Sequence, residues 1–278
     1  MFHLHPKFYR LHPVLPIRIR QQHHFRYTTC YDHGRPISGG EVGRLYGSIV
    51  DPKYISNIQW FGPTITAYND HLNYKSAYDK AYADALDKGL SEAEAVKEAQ
   101  AAGAANSWNY DGYCQGYHCG VDISADWGTP VYAGAYGVVI DAHKGYGGHQ
   151  VVVQSGQYLF YYQGLDGNYH VEVGDTVTPY TVVAGVGNHK ADSTLGNTHL
   201  HFEVRYSRSG VLTMDKVDRI VNPVLLMDRS YVAELRTIAQ AKTTTYDNVH
   251  YQGYSNPAYT GPYAYVLPIA RGGTVLWK

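Results

Sequence analysis

The sequence lacks any continuous run of about 18 apolar residues, the length that a membrane-spanning helix requires. It also lacks an excess of charge, because 23 Lys and Arg residues stand against 24 Asp and Glu, a net charge of −1. That balance argues against binding nucleic acid through bulk positive charge. Residues 1–27 are basic but contain no apolar core of about 7–15 residues, so they do not follow the plan of a secretory signal peptide. We therefore expect no transmembrane span, no nucleic-acid partner, and either a non-standard export route or delivery in a particle such as a phage.

Cysteine is scarce. The three cysteines are Cys30, Cys114 and Cys119, which allow one disulfide at most. They form no C-x-x-C pair, and this argues against a zinc site built from thiolates. Cys114 and Cys119 are close enough in sequence to bridge a small loop, and three free thiols are the alternative.

The abundant residues are those of a turn-rich sheet protein. The chain has 29 Gly and 28 Tyr against 6 Phe, and 44% of its residues are apolar, an ordinary fraction for a globular protein. Between about 113 and 224, short runs rich in Val, Tyr and Thr alternate with Gly-rich turns. This pattern predicts a mostly β fold, an antiparallel β-sandwich or barrel. The predicted strands are 131–133, 137–142, 150–154, 157–162, 181–185 and 199–206.

Composition shifts divide the chain into four predicted segments. They are a basic N-terminal arm with short β segments at 46–50 and 64–68 (1–74), a helical hairpin (75–106), the main β domain (107–228) and a Tyr-rich C-terminal extension (229–278). Arms and tails that cannot build their own core tend to order by docking on neighbours. We therefore expect self-association through the N-terminal arm and the C-terminal tail.

The hairpin is predicted from periodicity and capping. Apolar and aromatic residues recur every four positions between Ser76 and Lys88, and Gly89 fits the position after a helix end. Ser91 and Glu94 then form a capping box, since hydroxyl and carboxylate can satisfy the free N–H groups of a second, Ala-rich helix.

Two short motifs carry metal-binding side chains. His118 and Asp122 flank Gly120, which we expect to let the backbone turn so that the two side chains converge. On a strand, residues two apart face the same way, so His199, His201 and Glu203 share one face. His118, Asp122 and His201 would supply three ligands and leave a fourth position for water, the pattern of catalytic zinc. His199 could then orient the water or stabilise the oxyanion.

In these motifs the chain resembles the lysostaphin-type (LytM-like) M23 family of zinc metallopeptidases, which are peptidoglycan endopeptidases. The matching stretches, in order, are 117–123 (YHCGVDI), 128–139 (GTPVYAGAYGVV), 171–186 (VEVGDTVTPYTVVAGV), 197–204 (NTHLHFEV) and 221–223 (VNP). The resemblance implies the duplicated hybrid motif fold, Zn²⁺ on His118, Asp122 and His201, and a catalytic role for His199. It also implies a groove for the peptide cross-links of peptidoglycan and an extracellular or cell-envelope location.

One departure concerns the central hairpin, where the family has Tyr-Ala-His-Leu. The aligned stretch is 162–165 (YQGL), and Gln163 is taken to stand at the place of the second catalytic histidine. An amide can hydrogen-bond an oxyanion but cannot exchange a proton near neutral pH. His149 or His143 could substitute for it, or they could be ordinary polar rim residues. Asn106 or Asn109 could cover the zinc as in latent family members.

The sequence therefore supports a zinc endopeptidase, weakened by Gln163, as the leading hypothesis. The alternative is a catalytically impaired M23-fold structural protein that assembles into an oligomer, filament or virion through its arm and tail. A third reading is a carbohydrate-binding protein that uses the Tyr-rich tail to stack on sugars.

Overall fold

The structure, a computed structural model, describes residues 31–32, 35–36, 43–62, 64–107, 118–145, 147–206, 219–241, 269–270 and 274–275. Three α-helices lie within these residues: α1 (Ile65–Asp87), α2 (Glu92–Ala105) and α3 (Arg229–Ala241). None of them is long and apolar enough to cross a membrane.

The strands are short and carry most of the fold. They are β1 (Tyr31–Asp32), β2 (Arg35–Pro36), β3 (Asn57–Gln59), β4 (Gly120–Ser124), β5 (Pro130–Tyr132), β6 (Gly137–Gly145), β7 (Gly148–Ser155), β8 (Tyr158–Leu165), β9 (Thr176–Val177), β10 (Val182–Gly185), β11 (His199–Tyr206), β12 (Arg219–Val221), β13 (Ile269–Ala270) and β14 (Thr274–Val275).

One antiparallel sheet organises the domain. Its strand order is β3-β4-β11-β8-β7-β6-β9, and β12 also pairs with β11. Strands β5 and β10 form a separate two-stranded ribbon. The fold is therefore mostly β and antiparallel, as predicted, and the sheet stays open rather than closing into a barrel.

Alternation along the central strands sends apolar side chains to one face of the sheet. Val121, Phe160 and Phe202 are fully buried there in one cluster with Trp60 and with Leu235 of α3. Burying a side chain of this size contributes about 1.5–3 kcal/mol. Within the described residues, the other face carries one small apolar cluster, centred on Tyr161, and otherwise bears polar groups.

The strand predictions hold in the main domain and are wrong before it. The predicted strand His199–Tyr206 coincides with β11, and the other predicted strands differ from the observed ones by a few residues at their ends. The segment at 46–50 contains no strand, and 64–68 is the start of α1. Thr64 is the reason, because its hydroxyl accepts from the backbone N–H of Ala67 and caps a helix there.

The helical hairpin is present, and its first helix begins at Ile65 rather than Ser76. The capping box of Ser91 and Glu94 is formed as predicted. The buried residues of α2 are small and spaced by four: Ala95, Ala99 and Gly103. On α1, Tyr74, Tyr78 and Tyr82 stack with ring centroids about 6 Å apart. Tyrosines on one helix thus oppose small residues on the other.

Cys119 is disulfide-bonded, which excludes three free thiols. Its partner is one of the other two cysteines, and Cys30 and Cys114 both lie outside the described residues. The greater part of the basic arm and of the Tyr-rich tail also lies outside them, so self-association through these segments stays a prediction.

Gly103 tests how the hairpin packs. A Cβ built there would stand 2.7 Å from the ring of Tyr74, so Gly103→Leu should force the helices apart at a cost of about 1–3 kcal/mol. Ala104 is the matched control because it is exposed on the next position of α2. Amide hydrogen exchange should show lost protection in α1 and α2 for Gly103→Leu only. Equal protection in the two variants would contradict this packing.

Candidate metal centre

Three potential metal ligands meet on the polar face of the sheet. His118 lies just before β4 and is tied to Gly62 by two backbone hydrogen bonds of 2.9 Å. Asp122 lies on β4, and His201 lies directly opposite it on β11. The structure thus brings together the three residues named from the sequence, although 83 positions separate His118 from His201.

The donor atoms form a small triangle. His118 Nε2 is 3.1 Å from Asp122 Oδ1 and 3.3 Å from His201 Nδ1, and His201 Nδ1 is 2.7 Å from Asp122 Oδ1. Tetrahedral zinc, with bonds of about 2.0–2.1 Å, needs ligand atoms about 3.3 Å apart. Two edges of the triangle are close to that spacing and the third is shorter. Two imidazoles and one carboxylate are also the donor set that Zn²⁺ prefers, so the residues fit this ion.

Gly120 is required for a reason other than the predicted turn. It begins β4 in a regular strand, and a Cβ there would stand 2.6 Å from the carbonyl oxygen of Phe202 and 2.8 Å from His201 Cε1. Any side chain at this position would displace the His201 ring. Gly120 therefore allows His201 to approach the neighbouring strand.

Each ligand histidine is oriented by its second nitrogen. His118 Nδ1 donates to the backbone carbonyl of Trp60 at 2.8 Å, so the Nε2 that faces Asp122 and His201 carries the lone pair. His201 Nε2 faces Glu203 Oε2 at 3.7 Å, and Arg205 donates to the other oxygen of Glu203 at 2.6 Å. Carbonyl or carboxylate partners of this kind fix the tautomer and raise ligand basicity.

Buried charges at the centre balance one another. Burial alone would raise the pKa of Asp122, but the neighbouring imidazoles of His118, His199 and His201 hold it well below its usual range. Burial likewise opposes charge on His201, yet its hydrogen bond to Asp122 and the nearby carboxylate of Glu203 outweigh burial and raise the pKa of His201 to about 9. The pKa of Glu203 is lowered to about 2, because the interactions with Arg205 and His201 outweigh the rise that burial alone would cause.

Gln163 lies beside the metal centre, but its amide is hydrogen-bonded to Gln150. It pairs with His201 across β8 and β11, and its amide donates to Gln150 Oε1 at 3.1 Å. Gln150 donates to Asp141 at 2.7 Å, and Asp141 accepts from His143 at 2.8 Å. Counted letter by letter against Tyr-Ala-His-Leu, the third position of 162–165 is Gly164, not Gln163.

His199 is buried and turned toward a histidine that sequence reasoning missed. His199 Nδ1 donates to the carbonyl of Asn197 at 2.9 Å, and His199 Nε2 stands 3.1 Å from Nε2 of His189. Burial, with the neighbouring imidazoles of His199 and His201, lowers the pKa of His189 to about 4. His189 lies in a loop that holds two Gly, two Asn and two Thr residues and has no periodicity, and its nearness in sequence to the His-x-His strand was the one signal available.

The other residues considered from the sequence do not join this group. His149 Nδ1 bonds to the Tyr169 hydroxyl at 2.8 Å, and His143 is half exposed beside Asp141. Asn106 caps the end of α2, where its amide donates to the carbonyl of Ala102 at 2.8 Å. Asn109 lies outside the described residues.

One family model and several solved structures match part of the chain. Residues 116–214 match the family model described as Peptidase family M23. Among solved structures, the chain is similar to a zinc-containing peptidase from Vibrio cholerae, with 33% identity over 32% of this chain and 26% of that chain and a TM-score of 0.28. It is also similar to the antimicrobial peptidase lysostaphin from Staphylococcus simulans, with 27% identity over 39% of this chain and 43% of that chain and a TM-score of 0.32.

A third similar structure is the SpoIIQ-SpoIIIAH pore-forming complex, with 28% identity over 41% of this chain and 68% of that chain and a TM-score of 0.32. The comparison with curated proteins found no match. The matched part thus spans less than half of the Vibrio cholerae peptidase and of lysostaphin. Within the chain, residues 116–214 are a peptidase family M23 domain.

Glu203 gives a direct test of the metal centre. Glu203→Gln removes the charge that orients His201, and loss of such a partner typically costs about 10–100-fold in metal affinity. Glu172→Gln is the control, since Glu172 is exposed in a loop. Competition with a chromogenic chelator should show weaker zinc binding for Glu203→Gln alone. Unchanged affinity in that variant would refute the assigned role of Glu203.

The raised pKa of His201 predicts that zinc binding releases a proton. Below about pH 9 the metal-free imidazole is protonated, so zinc must displace that proton, and zinc affinity should rise with pH up to about 9. Calorimetry in buffers of different ionisation enthalpy should give about one proton released at pH 7 and progressively less above pH 9. No release at pH 7 would show that the metal-free site carries no such proton.

Proposed function

We propose that the protein is a zinc-dependent endopeptidase of the M23 type that hydrolyses peptide cross-links of bacterial peptidoglycan. The observation that carries the proposal is the triangle of donor atoms from His118, Asp122 and His201, whose edges run from 2.7 to 3.3 Å. The M23 family match over residues 116–214 supports the reaction class. The cross-link substrate and an extracellular, envelope or phage-particle location follow from the resemblance and belong to the same proposal.

In this proposal, His118, Asp122 and His201 hold the zinc. Zinc bound there would polarise the scissile carbonyl and lower the pKa of a water to about 7. Glu203 and the Trp60 carbonyl keep the ligand rings aimed. His199, held by the Asn197 carbonyl, lies two residues from His201 on the same strand face and acts on the reacting atoms.

The polar face of the sheet is where a peptide would lie. Because the main core occupies the opposite face, the ligands share their face of the sheet with Gln163 and Gln150. Two amides joined to Asp141 offer fixed donors and acceptors to a peptide backbone. Gln163 therefore binds substrate in this proposal rather than handling protons.

The experiment uses the full chain loaded with one equivalent of zinc and purified peptidoglycan. Mass spectrometry should detect new amino termini at cross-links, and chelation should abolish their release. His118→Ala and Asp122→Asn should lower the rate to that of the chelated protein, because each removes a ligand. His170→Ala is the control, since His170 is exposed and makes no contact with the centre in the described part of the chain. Cleavage that survives chelation and both ligand variants would overturn the proposal.

A further inference from the structure

His189 occupies the gap between the metal centre and His199. Its ring centroid lies 4.9 Å from that of His199 and 6.1 Å from that of His201. The His201 ring in turn lies 5.1 Å from the His118 ring. Four imidazoles therefore form one continuous row, and His189 is the member of that row to which the function above gives no role.

The hydrogen bonds of His189 and His199 leave two acceptors facing each other. His189 Nδ1 donates to the carbonyl of Gly147 at 3.0 Å, and His199 Nδ1 donates to the carbonyl of Asn197. A carbonyl can only accept, so each ring has its N–H on Nδ1 and a lone pair on Nε2. The two Nε2 atoms stand 3.1 Å apart. At this spacing the two lone pairs face each other directly, so a proton taken up by either Nε2 would be hydrogen-bonded by the other nitrogen.

The loop that carries His189 is held rigidly. The Asn188 side chain donates to the carbonyls of Asp192 and Leu195 and accepts from the backbone N–H groups of Lys190 and Asp192, at 2.8 to 3.3 Å. Asn188 is itself buried. A side chain anchored on such a loop holds its position without substrate, as a catalytic group must.

Glycines in the neighbouring strands β7 and β8 leave room for this loop. A Cβ at Gly148 would stand 2.7 Å from the Asn188 carbonyl oxygen, and a Cβ at Gly164 would stand 2.8 Å from that of His199 and 3.9 Å from Asn188 Cα. A larger residue at Gly164 would therefore collide with the segments that position His189 and His199. The glycine at position 164 is therefore needed for the loop to hold the His189 imidazole where it lies.

We propose that His189 is a catalytic residue of the hydrolysis, the group that takes the proton of the attacking water and passes it to the leaving nitrogen. The inference rests on the proposed function. In this step the water oxygen bonds to the carbonyl carbon, and one water proton moves to His189 Nε2. The C–N bond then breaks and that proton passes to the leaving amine. The second water proton stays with the carboxylic acid product, so atoms and charge balance.

Gln163 cannot take this part, although it lies nearby. A Cβ at Gly147 would be 3.4 Å from Gln163 Oε1 and 3.6 Å from His189 Nδ1, so the two side chains share one neighbourhood. An amide does not accept a proton near neutral pH, and the Gln163 amide already donates to Gln150. Of these two side chains, the His189 imidazole is the one that can move a proton.

The test compares His189→Ala with His189→Asn in the zinc-loaded full chain. An Asn amide can still donate to the Gly147 carbonyl, as Nδ1 does, but it has nothing at the place of Nε2. Both variants should lose about 10²–10⁴-fold in kcat with little change in KM. Both should keep one zinc per chain and the thermal stability of the wild type. His149→Ala is the control, since His149 bonds to Tyr169 instead of facing His199.

A second readout is independent of turnover. A phosphinate peptide, which carries tetrahedral geometry at the reacting position, should bind at least about 10-fold more weakly to both His189 variants than to the wild type, by calorimetry. If His189→Asn restores turnover and phosphinate affinity, His189 only supports the loop and the inference is wrong. A second zinc per chain that disappears in His189→Ala would also overturn it. If the wild type cleaves nothing while phosphinate binding still depends on His189, the proposed function fails and the placement of His189 beside the reacting group stands.

Discussion

The pairing of β4 with β11 is the interaction on which the candidate site depends. In this ladder His201 lies opposite Asp122, and Phe202 lies opposite Val121. Side chains alternate along strands, so a slip by one residue would turn the ligands into the core and expose Phe202 and Val121. Both of these apolar side chains are fully buried. Burial on one face thus fixes the register, and the register brings the ligands together on the other.

Parts of the fold that are remote in sequence complete the centre through backbone atoms. The carbonyl of Trp60 holds His118, and the carbonyls of Gly147 and Asn197 hold the rings of His189 and His199. Such acceptors cannot swing away as side chains can. The nitrogens that face the site are therefore aimed before any ligand binds, which lowers the ordering cost of binding and reaction.

The sequence predicts the position of an element where side chains repeat with a simple period. It does not do so where contacts between residues distant in sequence determine the structure. Strand β11 could be predicted to the residue because polar and apolar side chains alternate from His199 to Tyr206. The start of α1 could not, because 64–68 holds β-branched residues that favour strands while the Thr64 cap favours a helix. His189 was missed because its place depends on Asn188 and on the bare backbone at Gly164, and neither leaves a periodic trace.

Charge explains why this arrangement suits a dication. Along the polar face, Arg205 balances Glu203, and the proton on His201 balances Asp122 when no metal is bound. A buried carboxylate without a positive partner would cost several kcal/mol. His201 therefore keeps its proton in the metal-free site, and its pKa lies well above the usual value for histidine. A dication that replaced this proton would bring one more positive charge than it displaced. That surplus positive charge would stabilise negative charge on an oxygen beside the three ligands, which is what the proposed amide hydrolysis requires.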